Sequence, residues 1–103
     1  MEKKYEIKYL PLFYKDLDQI TDYIMYKLNN EIAADNFVNE LEKEINKRAY
    51  NPVSYEKYIS IRKRKYTYYK IHVKNYIVFY TVKDNIMEVR RILYAKRNFN
   101  KVF

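Results

Sequence analysis

Two runs decide the architecture: Tyr66-Thr67-Tyr68-Tyr69-Lys70-Ile71-His72-Val73 and Tyr76-Ile77-Val78-Phe79-Tyr80-Thr81-Val82, separated only by Lys74-Asn75. In the first, Tyr69, Ile71 and Val73 share one face of an extended chain, and Tyr68, Lys70 and His72 share the other. This is the period-two signature of a half-buried strand. The second run is apolar almost without a break, as a central strand covered on both faces requires. A two-residue gap between such runs is a tight hairpin turn, with Asn75 expected at the positive-φ position. Lys83-Asp84-Asn85 turns the chain again, and Ile86 to Tyr94 reads as the next strand of an antiparallel meander.

Upstream the pattern changes twice. Lys4 to Leu10 alternates, with Tyr5, Ile7 and Tyr9 on one face, and Pro11 ends that strand. From Phe13 the period is helical, with Leu17, Ile20, Ile24 and Leu28 three and four apart. Asp16, Asp18 and Asp22 are expected near the N-terminal end, where the helix dipole favours carboxylates. Asn29-Asn30 stops the helix in place of glycine. A second helix follows, with Ala34, Phe37, Leu41 and Ile45 on one face; Lys47 and Arg48 fill its last turn before Asn51-Pro52. So short a connection implies an antiparallel helical hairpin. Ile59 and Ile61 lead into Arg62-Lys63-Arg64-Lys65. The expected fold is α+β, ordered β-α-α-β-β-β, with the hairpin packed on one face of the sheet and a single domain spanning residues 1–103.

Composition narrows the chemistry. The 103 residues contain no cysteine, which excludes a disulfide framework, a thiolate metal site and a cysteine nucleophile. They contain no glycine, which removes phosphate-binding loops of the P-loop and dinucleotide types. Positive-φ positions are then expected to fall to Asn and Asp. Fourteen tyrosines supply a large apolar mass with hydroxyl tips, suited to a small core and to stacking on bases. No apolar run approaches the roughly 20 residues that cross a bilayer, and Met1-Glu2-Lys3-Lys4-Tyr5 opens no signal-peptide core. A cytoplasmic protein with no membrane partner, no metal and no cofactor is expected.

The net charge of +8 is unevenly placed. Residues 1–56 carry eight Lys/Arg and eleven Asp/Glu, a net −3, whereas residues 57–103 carry thirteen Lys/Arg and two acids, a net +11. Between Lys57 and Lys83 there is no acid at all. A half-chain so basic, interleaved with tyrosines, is a footprint for a polyanion or an acidic protein. The plainer alternative is a solvated surface that keeps a tyrosine-rich chain in solution.

In this order and spacing the chain resembles the RelE/ParE superfamily of toxins from bacterial type II toxin-antitoxin systems. Four segments carry the likeness. They are Leu17-Asp18-Gln19-Ile20-Thr21-Asp22-Tyr23-Ile24, then Ala33-Ala34-Asp35-Asn36-Phe37, then Tyr69 to Val73 with Asn75 to Tyr80, and finally Val89-Arg90-Arg91-Ile92-Leu93-Tyr94-Ala95-Lys96-Arg97-Asn98. The resemblance implies a growth-inhibiting toxin neutralised by a cognate antitoxin, and a role in plasmid stabilization. It leaves two activities open: RelE-like members cut messenger RNA in the ribosome, and ParE-like members inhibit DNA gyrase.

Metal-free RNA cleavage needs a base for the 2′-hydroxyl, an acid for the leaving oxygen and cations for the charged phosphorane. By resemblance these roles fall on Lys70, His72 and Arg97. Two further positions of the pattern have lost their polar group, becoming Ile77 and Phe103. His72, the only histidine, is either an acid-base group or a hydrogen-bonded sheet residue. The long hairpin with Ala33-Ala34…Phe37, the Ile92-Leu93-Tyr94 strand end and the two losses favour the ParE-like side. The alternatives are a ribosome-dependent endoribonuclease using Lys70, His72 and Arg97, and a degenerate member that only binds. Expected target contacts are Arg62, Lys63, Arg64, Lys65, Lys70, Arg91, Lys96 and Arg97. Arg90 and Arg91 alternate across one strand, so one of the two is expected to meet the helices or an acid. The antitoxin's toxin-binding segment is expected to be acidic.

Overall fold

A computed structural model of the chain describes residues 3–58 and 66–97. Arg62-Lys63-Arg64-Lys65, with Ile59, Ile61, Asn98 and Phe103, lies outside the described residues. The chain runs β1 (Glu6–Tyr9), α1 (Pro11–Asp22), a π-helical turn (Tyr23–Lys27) and α2 (Glu31–Arg48). A 3-10 turn (Pro52–Ser54), β2 (Lys57–Tyr58), β3 (Tyr68–Val73), β4 (Tyr76–Lys83) and β5 (Ile86–Tyr94) follow. One five-stranded sheet has the order β1-β5-β4-β3-β2, with β1 parallel to β5 and the remaining pairs antiparallel. This is the expected β-α-α-β-β-β order with the two-residue strand β2 added at an edge.

β4 holds the centre of the sheet, which explains its unbroken apolar run: Ile77, Val78, Phe79, Tyr80 and Thr81 are all buried. On the helical side, Val78 and Tyr80 join Ile71, Val89 and Ile92 against Phe13, Phe37 and Ile45. Each such side chain contributes about 1.5–3 kcal/mol on burial. On the other side Ile77, Phe79 and Leu93 form a smaller cluster with Tyr58 and Tyr68. Tyr69 stacks on its cross-strand partner Tyr80 at 5.3 Å, the aromatic pairing common in sheets.

Three details differ from the sequence reading, each for a local reason. Lys74 takes the positive φ of the first hairpin (53°), not Asn75, although Asp84 (56°) and Asn29 (47°) fit the expectation. Helix α1 starts at Pro11, whose fixed φ suits the first helical position, so Asp16 lies well inside it and Asp22 at its end; neither sits in the first turn. The helix widens after Asp22, with Leu28 N–H donating to Tyr23 O at 3.2 Å, which turns Leu28 out of the apolar face. Asn30 then opens α2 by accepting a hydrogen bond from Ala33 N–H at 3.0 Å.

Strand β5 carries a bulge. Phe79 faces Arg91 but Tyr80 faces Val89, so Arg90 has no opposite residue. Both arginines are held by acids. Arg91 forms two hydrogen bonds to buried Asp16, and Arg90 bonds Thr81 and Glu88 while lying over the Tyr66 ring at 5.0 Å. Arg91, one of the expected target contacts, has its guanidinium on Asp16, which ties β5 to α1.

Candidate functional site

The sequence candidates divide among three places. The first is the outer face of β3. Lys70 and His72 stand two residues apart on it, opposite Phe79 and Ile77 of β4. Between them lies Glu56, which was not among the sequence candidates. Its carboxylate accepts from Lys70 Nζ at 3.1 Å and lies 3.5 Å from His72 Nε2. The hydrogen bond and charge of Lys70, with His72 adding less, hold the Glu56 carboxyl below its ordinary range.

Glu56 is placed by the path of the chain after α2. Tyr80 Oη donates to Pro52 O at 2.6 Å, and burial pushes that phenol up to about 12. Arg48 donates to Lys70 O at 3.3 Å, and its guanidinium covers the Tyr55 ring at 3.8 Å. Lys70 N–H then donates to Glu56 O at 2.9 Å, which sets the acid beside β3. One sequence signal marked this residue. Glu56 and Asp84 are the two acids that bound the acid-free stretch, so a carboxylate reaching those cations from nearby in the chain had to be one of these two.

The second place is the turn after β5. Ala95 N–H donates to Asn75 O at 2.9 Å, and Arg97 N–H donates to Tyr94 O at 3.0 Å. Lys96 and Arg97 are exposed there, and Arg97 lines a small cavity of about 160 Å³ with Asp16, Gln19 and Tyr94. Arg97 follows β5 and lines its cavity with Asp16 and Gln19 of α1, whereas Lys70 and His72 belong to β3 and meet Glu56. Ile77, buried with Phe79 and Leu93, lies between them and offers no charge. The pair Lys70 and His72 is thus brought together, and Arg97 is not brought to it.

The third place is an apolar groove of about 710 Å³ between the helical hairpin and the β3–β4 turn. Phe37 floors it at 1% exposure, while Tyr23, Leu28 and Tyr94 stand open on its rim at 51, 56 and 46%. Tyr76 packs edge-on against both Phe37 (5.2 Å) and Tyr94 (5.8 Å), and burial raises its phenol above the ordinary range. Lys74 and Asn75 close one end. The sequence did not single out this groove, because the π-helical turn that exposes Tyr23 and Leu28 breaks the helical periodicity. Among the described residues, no three metal-ligating His, Asp or Glu side chains cluster, and no helix is long and apolar enough to cross a membrane.

The sequence matches the family model of the ParE toxin of type II toxin-antitoxin systems, parDE, over residues 7–99. No curated protein sequence matches it. Among solved structures, it is similar to the chromosomal ParDE system from P. aeruginosa, with a TM-score of 0.74 at 15% identity over 90% of this chain and 98% of that one. It is similar also to the archaeal RelE-RelB complex from Pyrococcus horikoshii OT3, at 0.61 and 15%, over 93% and 100% of the two chains. The E. coli DinJ-YafQ complex gives 0.53 and 18%, over 89% and 93%. At such identities these likenesses are of fold.

Proposed function

The chain belongs to the ParE toxin family of type II toxin-antitoxin systems, and from that starting point we propose that it blocks growth through DNA gyrase and is silenced by an antitoxin seated in the apolar groove. The observation that carries the gyrase reading is the engagement of Lys70 and His72 by Glu56, with Arg97 apart from them. A ribonuclease site must gather base, acid and phosphorane-stabilising cation around one phosphate. Here the pair faces a carboxylate that would repel that phosphate, and the intervening position is the apolar Ile77. On this reading Lys96, Arg97 and the run Arg62-Lys63-Arg64-Lys65 contact the target as cations, and no residue does acid-base work.

Support for the antitoxin seat is physical. A contiguous apolar rim open to solvent marks an interaction surface. Lys74 at one end and the +11 half-chain favour an acidic partner. A short amphipathic helix that folds on binding suits such a groove.

A second reading has one observation in its favour. Lys70 and His72 do share one exposed face, and a carboxylate beside a histidine is an arrangement that can orient an imidazole for proton transfer. Expression without antitoxin, scored separately for DNA breaks and for mRNA cleavage, tests the two. DNA breaks with intact mRNA are expected; mRNA cleavage without DNA damage would overturn the gyrase reading.

A further inference from the structure

Where β1, α1 and α2 meet lies a cavity of about 160 Å³ that shares no residue with the groove. The short passage from β1 into α1 builds most of it. Tyr9 ends β1, Pro11 starts the helix at once, and Phe13 and Tyr14 follow on its first turn. Three rings therefore meet, with centroids 5.2 Å (Tyr9–Phe13), 5.9 Å (Tyr9–Tyr14) and 6.0 Å (Phe13–Tyr14) apart and all three planes inclined to one another. Leu17 of α1 and Val38 of α2 add apolar wall, and Glu42 of α2 supplies the charge.

Among the described residues, no hydrogen bond or ion pair engages the Glu42 carboxylate; only its backbone oxygen is used, accepting from Asn46 Nδ2 at 2.8 Å. Lys4 is drawn elsewhere, donating to Asn46 Oδ1 at 2.9 Å and lying 5.9 Å from the Tyr50 ring centroid. The field of Glu42 reaches the rings: burial first, and this carboxylate next, raise the Tyr9 phenol above its ordinary range. Aromatic faces attract ammonium groups within about 6 Å of the ring centroid. The cavity equals the volume of about five liquid waters, room for a methylated nitrogen and not for a length of chain. Its lining comes wholly from residues 1–56, the half of the chain with net charge −3, so the surrounding field does not oppose a cation. We propose that this cavity binds a small organic ammonium ion, with its alkyl groups against the Tyr9 and Tyr14 rings and its charge facing Glu42. The site is independent of the gyrase reading and of the antitoxin's seat.

Chaline-free full chain titrated with choline, or with its uncharged isostere 3,3-dimethylbutan-1-ol, tests this by NMR at the ring protons of Tyr9, Phe13 and Tyr14. Choline should shift all three saturably and bind at least about fivefold more tightly than the alcohol, since a unit charge about 4 Å from a carboxylate gains that much even in water. Glu42→Gln should erase the difference between the two ligands. Tyr14→Leu should weaken choline roughly two- to fivefold, the measure of one exposed cation–π contact. Both side chains are exposed, so neither change empties the core. Equal binding of choline and the alcohol to wild type overturns the proposal, as does an unaltered choline affinity in either variant. A response confined to the Tyr76 and Tyr94 rings overturns it too, because the ligand would then sit in the groove. Tighter binding of N-acetyl-lysine methylamide than of choline would also overturn it, in favour of a lysine presented by a partner.

Discussion

Asp16 on α1 grips Arg91 on β5 with two hydrogen bonds, from Nε to Oδ2 at 2.7 Å and from Nη2 to Oδ1 at 2.9 Å. The same Oδ2 accepts the Ile92 backbone N–H at 3.1 Å. The carboxylate thus ties α1 to β5, next to the cavity where Arg97 lies. Through this hydrogen bond the Arg91 guanidinium is held in its charged form more firmly than usual.

Replacing Asp16 by Ala leaves a partly buried cation and a buried strand N–H without partners, at a cost below the roughly 3–5 kcal/mol of a fully buried pair but still of the order of a few kcal/mol. Against a total stability of roughly 5–15 kcal/mol, that brings the chain near its threshold. The urea midpoint of Asp16→Ala should fall steeply. Asp16→Asn, which can still accept from Ile92 N–H, should fall less. Equal loss in both variants would assign the effect to charge alone.

Among the described residues, Lys74 is the one lysine at positive φ. A side chain there costs about 1–2 kcal/mol, and glycine's extra unfolded freedom returns only about 0.5–1. Lys74→Gly should therefore raise the Tm of the free toxin by a few degrees, while weakening antitoxin binding because the groove loses its charge. A thermal melt and a binding titration on one variant check both. A lower Tm would show that the Lys74 side chain makes a stabilising contact.

The Glu56 carboxyl is held below its ordinary 4.5 by Lys70 and, secondarily, by His72. A depressed carboxyl contributes stability that is present above the unfolded value and lost as pH falls through the folded one. Thermal melts of wild type between pH 7 and pH 3 should show this component fading below about pH 4.5, and Glu56→Gln should lack it. Identical pH profiles for the two proteins would mean that the contacts have no thermodynamic weight.

The sheet and the helical hairpin were legible because periodicity reports burial directly: Tyr69, Ile71 and Val73, and likewise Ala34, Phe37, Leu41 and Ile45, face the core as spaced. Pairings between distant charges were not. Asp16 and Arg91 are 75 residues apart, and nothing in a linear pattern links them. The bulge at Arg90 and the π-helical turn at Tyr23–Lys27 each add residues that the strand and helix periods do not count. The site followed the same division. Lys70 and His72 were readable as one strand face, whereas Glu56 came to them through the Tyr80–Pro52 and Arg48–Lys70 contacts that steer the chain after α2.

Changing Arg62, Lys63, Arg64 and Lys65 together to Ala should weaken polyanion binding and flatten its dependence on salt, because each phosphate that is no longer neutralised keeps about one counterion that binding would have released. Heparin affinity across a salt series reads both quantities, and circular dichroism should be unchanged. An unaltered salt slope would return this run to a solvated loop.

His72→Gln keeps the size and hydrogen-bonding capacity of the side chain but cannot titrate near neutral pH. Expressed without antitoxin, the variant should arrest growth as wild type does, with DNA damage induced and mRNA intact. A true general acid or base would lose roughly 100-fold or more in RNA cleavage. Loss of toxicity of that size in His72→Gln, with the protein folded and still bound by its antitoxin, would contradict the gyrase reading and make Lys70 and His72 a catalytic pair.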